Sequence, residues 1–290
     1  MMPAQLENGA KTFVPVTGGA AVNSAIALAR LGISSGVFAA LSSDQFGRFL
    51  RQALQAEGVA DTLCPTLDAP STLAFIAPKG ETQSFDFFDE NSAARLMTHI
   101  HMPPLQGVTA LVFGGISLIR KPAAGVFEAV MSSAPAHCIT LLDPNIRPSF
   151  VSDESAYRER LRRMMAMADI IKLSDEDIEW FQEDTAEALL CNRAAIVLHT
   201  HGAQGATMYS RHGKFHAHAP KTTVVDTVGA GDTFNAAFLA HLAKYDVLEP
   251  RKLALCSAPI LQAALEFAVK AATISVARVG ANPPNIKELS

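Results

Sequence analysis

The sequence predicts an α/β fold: a three-layer sandwich with a mostly parallel central sheet flanked by helices, plus a small β lid. Three observations point there. Helix-period stretches and short apolar runs alternate along most of the chain, as they do where helices cover a parallel sheet. Of 290 residues, 49% are hydrophobic and 18% charged, enough apolar surface for a large core in one domain spanning residues 1–290. One β-rich stretch breaks the alternation, between the early helices and the main sheet.

The elements follow in order. Met1 to Gly9 reads as loop and Lys11–Val16 as an extended segment. Ala20–Leu31 is a helix, with Val22, Ile26 and Ala29 at helical spacing and Gly32 as its stop. A second runs from Asp44 to Glu57 on Phe46, Phe49, Leu50, Ala53 and Leu54. Ser71–Pro78 and Thr82–Phe88, joined at Lys79-Gly80, predict a hairpin with one wet face, in which Thr82, Ser84 and Asp86 alternate with Gln83, Phe85 and Phe87. Residues 11–17 and 71–89 together make the expected lid, a device that excludes water from a reactive site. Buried strands are expected at Ala110–Phe113, Cys138–Leu142, Ile170–Leu173 and Ala195–Leu198, with helices at Ala123–Ser132, Glu154–Ala168 and Asp175–Gln182. A helical pattern from Pro250 to Ala277 is interrupted at Pro259.

Charge and cysteine usage narrow the class. Twenty-four basic against 28 acidic residues give a formal net charge of −4, which lacks the electrostatic footprint of a general nucleic-acid binder. The one basic cluster, Arg158 to Arg163, is interrupted by Glu159 and reads as a solvated helix face. Cys64, Cys138, Cys191 and Cys256 lie more than fifty residues apart, so no CxxC pair exists and a reducing cytoplasm is the expected setting. No run of eighteen uninterrupted apolar residues occurs, and no membrane partner is expected.

The chemistry concentrates in Val224-Val225-Asp226-Thr227-Val228-Gly229-Ala230-Gly231-Asp232-Thr233-Phe234. A β-branched run meets a turn with two glycines and then a helix on Phe234, Ala237, Phe238 and Leu242. Glycines let backbone N–H groups approach an anion, and the helix dipole favours negative charge there, so phosphate is the natural guest. A dinucleotide fingerprint would need glycine in place of Phe234, and no Walker P-loop occurs in the chain. A βα turn that happens to hold two glycines stays open as a reading. Asp232 weighs against it. A carboxylate beside a phosphate turn repels its guest, and accepting a proton from an attacking hydroxyl would give it a purpose. The helix N-terminus is expected to keep Asp232 ionised and a weak base. Plain helix capping by Asp232 is the alternative.

These residues resemble the second signature of the ribokinase-like carbohydrate kinases, the PfkB family, written DTxGAGDxF. Upstream, Gly18-Gly19-Ala20-Ala21-Val22-Asn23-Ser24-Ala25 and Ala29-Arg30-Leu31-Gly32 are similar to its first signature, GGxxxNxA with xRLG. Leu142-Asp143-Pro144-Asn145-Ile146-Arg147 resembles its DxNxR strand end, and Thr200-His201-Gly202-Ala203-Gln204-Gly205 its TxGxxG nucleotide turn. The four motifs stand in the family's order.

The resemblance implies an ATP-dependent sugar kinase acting with Mg2+. Asp232 matches the catalytic base, and the amides of Gly229, Ala230 and Gly231 match the anion hole. Gly18, Gly19, Asn23, Asn145 and Arg147 match positions on the sugar side, Arg147 able to meet either substrate or phosphate, and Thr200, Gly202 and Gly205 match the nucleotide side. Asp226, Val228, Ser275, Arg278 and Gly280 match a monovalent cation site, which suggests K+. The family's NxxE motif is altered here. Ser174 stands for Asn and Asp177 for Glu, a shorter carboxylate that could still reach Mg2+ through water. Three HxH pairs, His99/His101, His199/His201 and His216/His218, have no third ligand at suitable spacing, and no zinc site is expected.

Phe85-Asp86-Phe87-Phe88-Asp89-Glu90-Asn91-Ser92-Ala93 looks like the lid segment of bacterial fructokinase-like members, placing Asp89 and Asn91 near sugar hydroxyls; the alternative is a plain lid-strand end. Fructose is the first choice of substrate and 2-keto-3-deoxygluconate the second. A non-enzymatic sugar or nucleotide sensor is the competing class, and the intact Gly229-Ala230-Gly231-Asp232 argues against it. Relatives begin with a strand reading like GEALID that is expected to be missing here, together with its acidic sugar ligand and a sheet edge. Pairing of lids between subunits in the family implies a homodimer.

Overall fold

The computed structural model describes residues 1–6, 9–79, 82–182, 186–191 and 193–289. The chain opens with β1 (Met2–Gln5) and β2 (Lys11–Val14), then α1 (Ala20–Arg30), β3 (Leu41–Ser42), α2 (Gln45–Ala56) and β4 (Thr66–Leu67). The hairpin strands β5 (Leu73–Lys79) and β6 (Thr82–Phe88) follow. Next come β7 (Ala110–Gly114), α3 (Ala123–Ser132), β8 (Ile139–Asp143), α4 (Glu154–Met167), β9 (Ile170–Ser174), α5 (Asp175–Phe181) and β10 (Ile196–Thr200). The chain ends with β11 (Ala206–Ser210), β12 (Gly213–Ala217), α6 (Ala230–Lys244), α7 (Pro250–Leu255) and α8 (Ala258–Val276).

One six-stranded sheet carries the molecule in the order β12-β11-β10-β9-β8-β7. The four strands β7 to β10 are parallel, while β11 and β12 continue antiparallel, so the sheet is mixed with a parallel majority. Strand residues alternate between two cores. Ile139, Leu141, Ile170, Ile196 and Leu198 pack with Phe234, Phe238 and Leu265 of α6 and α8. Leu142, Ile171, Leu173 and Val197 pack with Val126, Leu161 and Met164 of α3 and α4. Burial on both faces is why these strands read as continuous apolar runs. Their C-terminal ends, Gly114 opposite Asp143 and Ser174 opposite Thr200, share one edge, where open α/β sheets collect ligands.

The expected hairpin forms as β5 paired antiparallel with β6, and the Lys11–Val14 segment forms a second two-stranded sheet beside it. Met2–Gln5, read as loop, pairs antiparallel with β2, closed by hydrogen bonds from Gly9 N–H to Leu6 O and from Leu6 N–H to Ala10 O. Pro3 fits this strand because proline is tolerated where a strand is short and edge-like. This hairpin meets β5 through Ile76 N–H to Met1 O, and Phe13, Phe75 and Phe88 stack edge to face at 5.0 and 5.6 Å. The Lys79-Gly80 joint and the side chains of residues 82–85, with their wet and dry faces, lie outside the described part. Asp86 is exposed and Phe87 half-buried, as the alternation required.

One further expectation needs narrowing. Of the stretch Arg158 to Arg163, Glu159, Arg162 and Arg163 are exposed as a solvated face would be, but Arg160 is 3% exposed and donates to the Leu118 and Ile119 carbonyls, and Arg158 lies 3.7 Å over the Trp180 ring. Long arginine stems cover apolar surface while their heads find carbonyls, which charge counting alone does not reveal. The C-terminal helical pattern is interrupted as expected, the break falling at Cys256-Ser257 just ahead of Pro259, which has no N–H and fits only the first turn of α8. Among the described helices, α8 alone is long and apolar enough to cross a membrane; Leu261, Ala264, Leu265, Ala268 and Val269 bury it as a core helix instead.

Candidate active site

The N-terminus of α6 organises the site. Gly229 sits left-handed at φ 76°, and a Cβ there would lie 2.6 Å from the Ala281 Cβ, so neither the backbone nor the space admits another residue. The turn delivers the first α6 amides, which no helix can satisfy internally, to the edge where the parallel strands end. Asp232 follows one residue after Gly231 and is 6% exposed. Its Oδ2 accepts a 2.8 Å hydrogen bond from Asn23 Nδ2 of α1. Two segments 209 residues apart, each picked out by its motif, meet at this bond.

A second layer lies beneath. Lys172 of β9 is 4% exposed, and its Nζ approaches Asp143 Oδ1 of β8 at 3.3 Å. Asn235 Nδ2 donates to Asp143 Oδ2 at 2.7 Å. A Cβ on Gly231 would stand 3.4 Å from Lys172 Nζ, so the ammonium backs the glycine turn. Burial works against the Lys172 charge, but Asp143, Asp177 and Asp232 outweigh it and hold its pKa above the ordinary lysine value.

Burial, reinforced by Asp143, pushes Asp232 up to about 6, against the pull of the Asn23 amide and the Lys172 and Arg147 charges. The expected weak base is therefore a stronger one, still mostly ionised at pH 7. Such a carboxylate at an anion-binding helix N-terminus can take a proton from a hydroxyl while that oxygen attacks phosphorus.

The other sequence-picked residues group around this centre. Gly18 and Gly19 precede α1 with open space where a Cβ would stand, Gly19 at φ 106°. Asn145 sits left-handed at φ 45° beyond β8, and Arg147, exposed, donates to its neighbour's carbonyl on Ile146 at 3.1 Å. Asp177 holds that turn. It is 1% exposed, its Oδ1 accepts from Ile146 N–H at 2.8 Å, and its Oδ2 accepts from Ser174 N–H and Oγ, both at 2.9 Å. The carboxylate expected to face magnesium through water is thus committed to capping α5 and positioning Asn145 and Arg147.

Asp89 borders a small cavity with Phe87, Ile116, Ile119, Arg120 and Phe150 between lid and body, while Asn91 is exposed at φ 55°. Among the described residues no hydrogen bond joins either to Asp232. Asp226 accepts from Val228 N–H at 3.0 Å and Gly280 N–H at 2.9 Å, and Arg278 N–H donates to Ser275 O at 3.0 Å. The five residues assigned to a monovalent cation therefore lie on the loop before α6 and on the last turn of α8 with the loop after it, two segments tied together. Thr200 ends β10; Gly202 and Gly205 take φ 53° and 101°, with His201 N–H to Gly205 O closing the turn at 2.8 Å.

Known proteins match this chain in sequence and fold. The sequence profile of the pfkB family carbohydrate kinases covers residues 3–288. The chain belongs to that family. As a carbohydrate kinase it is 40% identical over 260 residues to a fructokinase of Rhizobium leguminosarum bv. trifolii, covering 88% of this chain and 80% of that one. The structure of fructokinase from Xylella fastidiosa with bound ATP superposes with a TM-score of 0.90 at 26% identity, over 100% of this kinase and 93% of that chain. Aminoimidazole riboside kinase from Salmonella enterica, complexed with aminoimidazole riboside and an ATP analog, gives 0.81 at 26%, over 99% and 95%.

Sequence reasoning missed Lys172 and Asn235 and gave Asp143 no role. A signal existed for the first: a lysine inside the apolar run Ile170-Ile171-Lys172-Leu173 needs a buried partner. Asn235 carried none, because its neighbours Phe234 and Ala236 made it one more residue of a helix.

Proposed function

We propose that this kinase transfers the γ-phosphoryl group of ATP to a primary hydroxyl of fructose, with Asp232 as the base. The Asn23–Asp232 contact carries the reading, since it joins the glycine-rich entry to α1 with the anion turn of α6. A hydroxyl reaching Asp232 Oδ1, the oxygen Asn23 leaves open, hands over its proton as the oxygen bonds to phosphorus and the bond to ADP breaks. The amides of Gly229, Ala230 and Gly231 take the charge on the phosphoryl oxygens, with Lys172 behind them. Gly18, Gly19, Asn145, Arg147, Asp89 and Asn91 shape the sugar pocket, and Thr200, Gly202 and Gly205 face the nucleotide.

The charges suit a cation-loaded nucleotide: Asp143, Asp177 and Asp232 surround one ammonium, so bare triphosphate would be repelled. Mg2+, when bound to the phosphates, supplies the missing positive charge. The tied segments that carry Asp226, Val228, Ser275, Arg278 and Gly280 fit K+ through carbonyls. Free, buried Cys64, Cys138 and Cys256 fit a reducing cytoplasm.

Coupled ADP-release assays over ketoses, aldoses, 2-keto-3-deoxygluconate and aminoimidazole riboside, with and without K+, test the substrate. Fructose should give the highest kcat/KM. A preference for another acceptor overturns fructose alone, and sugar-independent ADP release overturns the transfer.

The lid presents Phe13, Val14, Val16 and Phe88, the last 62% exposed, and we assign this surface to a second copy. Light scattering should show a dimer, and Phe13→Ser with Phe88→Ser a monomer; a monomeric wild type refutes the pairing.

A further inference from the structure

Beside the nucleotide turn lies a cluster that the phosphoryl-transfer chemistry does not use. Asp175 opens α5, and its Oδ1 stands 2.8 Å from His199 Nε2 and 3.0 Å from His201 Nδ1. The two rings are 4.0 Å apart, and one ligand atom from each of the three residues falls within 4.8 Å of the others. The third ligand that sequence spacing failed to supply comes from 24 residues upstream of His199.

Hydrogen bonding makes this more than a coincidence of residue types. His216 Nε2 lies 3.2 Å from Gln204 O, which can only accept, so Nε2 carries the hydrogen. In the neutral ring Nδ1 is then an acceptor, and Thr207 Oγ1, 3.0 Å away, donates to it. With its one hydrogen committed, Thr207 Oγ1 accepts from His201 Nε2 at 2.9 Å. Neutral His201 therefore carries its hydrogen on Nε2, and its Nδ1 lone pair points at the Asp175 carboxylate oxygen. Two acceptors at 3.0 Å repel unless a second proton on His201 or a metal ion stands between them, and the metal has His199 as a further ligand. Metal-binding histidines are likewise oriented by an acceptor that takes the other ring N–H, here the Thr207 hydroxyl.

We propose that Asp175, His199 and His201 bind a borderline divalent cation such as Zn2+, with a fourth position open to solvent. Two imidazoles and one carboxylate select Zn2+ over Mg2+. Zn–N and Zn–O bonds of about 2.0–2.1 Å in a tetrahedron separate ligand atoms by roughly 3.3 Å. Two of the three separations are already near that. Asp175, with a side chain 57% exposed, can adjust to the ion. A bound ion would pin the first turn of α5 to the Thr200–Gly205 turn.

Titration calorimetry on tag-free, chelator-treated protein tests this with ZnCl2 alone. One equivalent should bind, unaffected by millimolar Mg2+, and Co2+ in its place should give the intense visible bands of a four-coordinate site. Asp175→Asn and His201→Ala should each weaken Zn2+ binding at least tenfold, and His216→Ala about tenfold through the lost orientation of His201. Melting temperatures without metal check that each variant folds. Absence of saturable Zn2+ binding by the wild type overturns the site. So does binding that survives Asp175→Asn and His201→Ala but is lost in His216→Ala with His218→Ala, which would place the ion on the neighbouring pair.

Discussion

Asp232→Asn is expected to lower turnover by about 10²–10⁴-fold and, at pH 7 and above, to melt higher than the wild type. Both effects come from one buried carboxylate. The amide cannot take the hydroxyl proton, yet its oxygen can still accept from Asn23, so the pocket keeps its shape and nucleotide should still bind. The stability gain follows from the pKa. Folding raises it from the ordinary 3.8 to about 6, so between those values the folded state holds more proton than the unfolded chain. Wild-type stability therefore falls as pH rises through that window, and the loss is complete above pH 6. At 1.4 kcal/mol per pKa unit the penalty is on the order of 2–3 kcal/mol. The variant does not titrate, so its melting advantage should grow from pH 4.5 to 7 and then level off. Wild-type kcat/KM should fall below about pH 6, the acid limb of the free enzyme. Wild-type turnover by the variant would remove Asp232 from the chemistry, and a variant that melts lower at pH 8 would refute the burial argument.

Much of this was legible because the sequence carried two redundant signals. The parallel strands were apolar runs bounded by turns, and both their faces are buried, so α3 was placed at Ala123–Ser132 and β9 within one residue. The antiparallel β11 and β12 escaped notice: Thr207 and Ser210 break the apolar pattern of β11, and β12, at the sheet's edge, sets Gly213, Lys214 and His216 around a single Phe215. In the site, glycine turns and the Asn23 and Asp232 positions were readable because close backbone approach and proton transfer demand particular residue types. The hydrogen bond between them was not, since it depends on how α1 packs on α6. The same holds for Asp177, whose spacing suggested a metal role and whose burial gives it a capping one. The histidine cluster shows the limit most sharply: His199 and His201 were visible as a pair, while Asp175 joins them only because β9 and β10 run side by side.

Lys172→Met should cost about 3–5 kcal/mol of stability in urea unfolding, because it strands Asp143 in the interior with Asn235 as its remaining partner. Methionine fills nearly the same volume, so loss of charge dominates over loss of packing. The change also reaches Asp232. Lys172 pulls that pKa down, so without it the carboxylate should rise above 6 and the acid limb of kcat/KM should move toward neutral pH. Adding Asp143→Asn separates the two consequences. The second substitution removes the stranded charge while keeping an oxygen for Asn235, so most of the stability should return. It also removes a carboxylate that pushes Asp232 up, so the limb should move back. The KM for ATP should stay raised in both variants, because neither restores the positive charge behind Gly231. A single variant as stable as the wild type would refute the buried ion pair. Recovery of nucleotide affinity in the double variant would make Lys172 a prop for Asp143 alone, with no part in attracting phosphate.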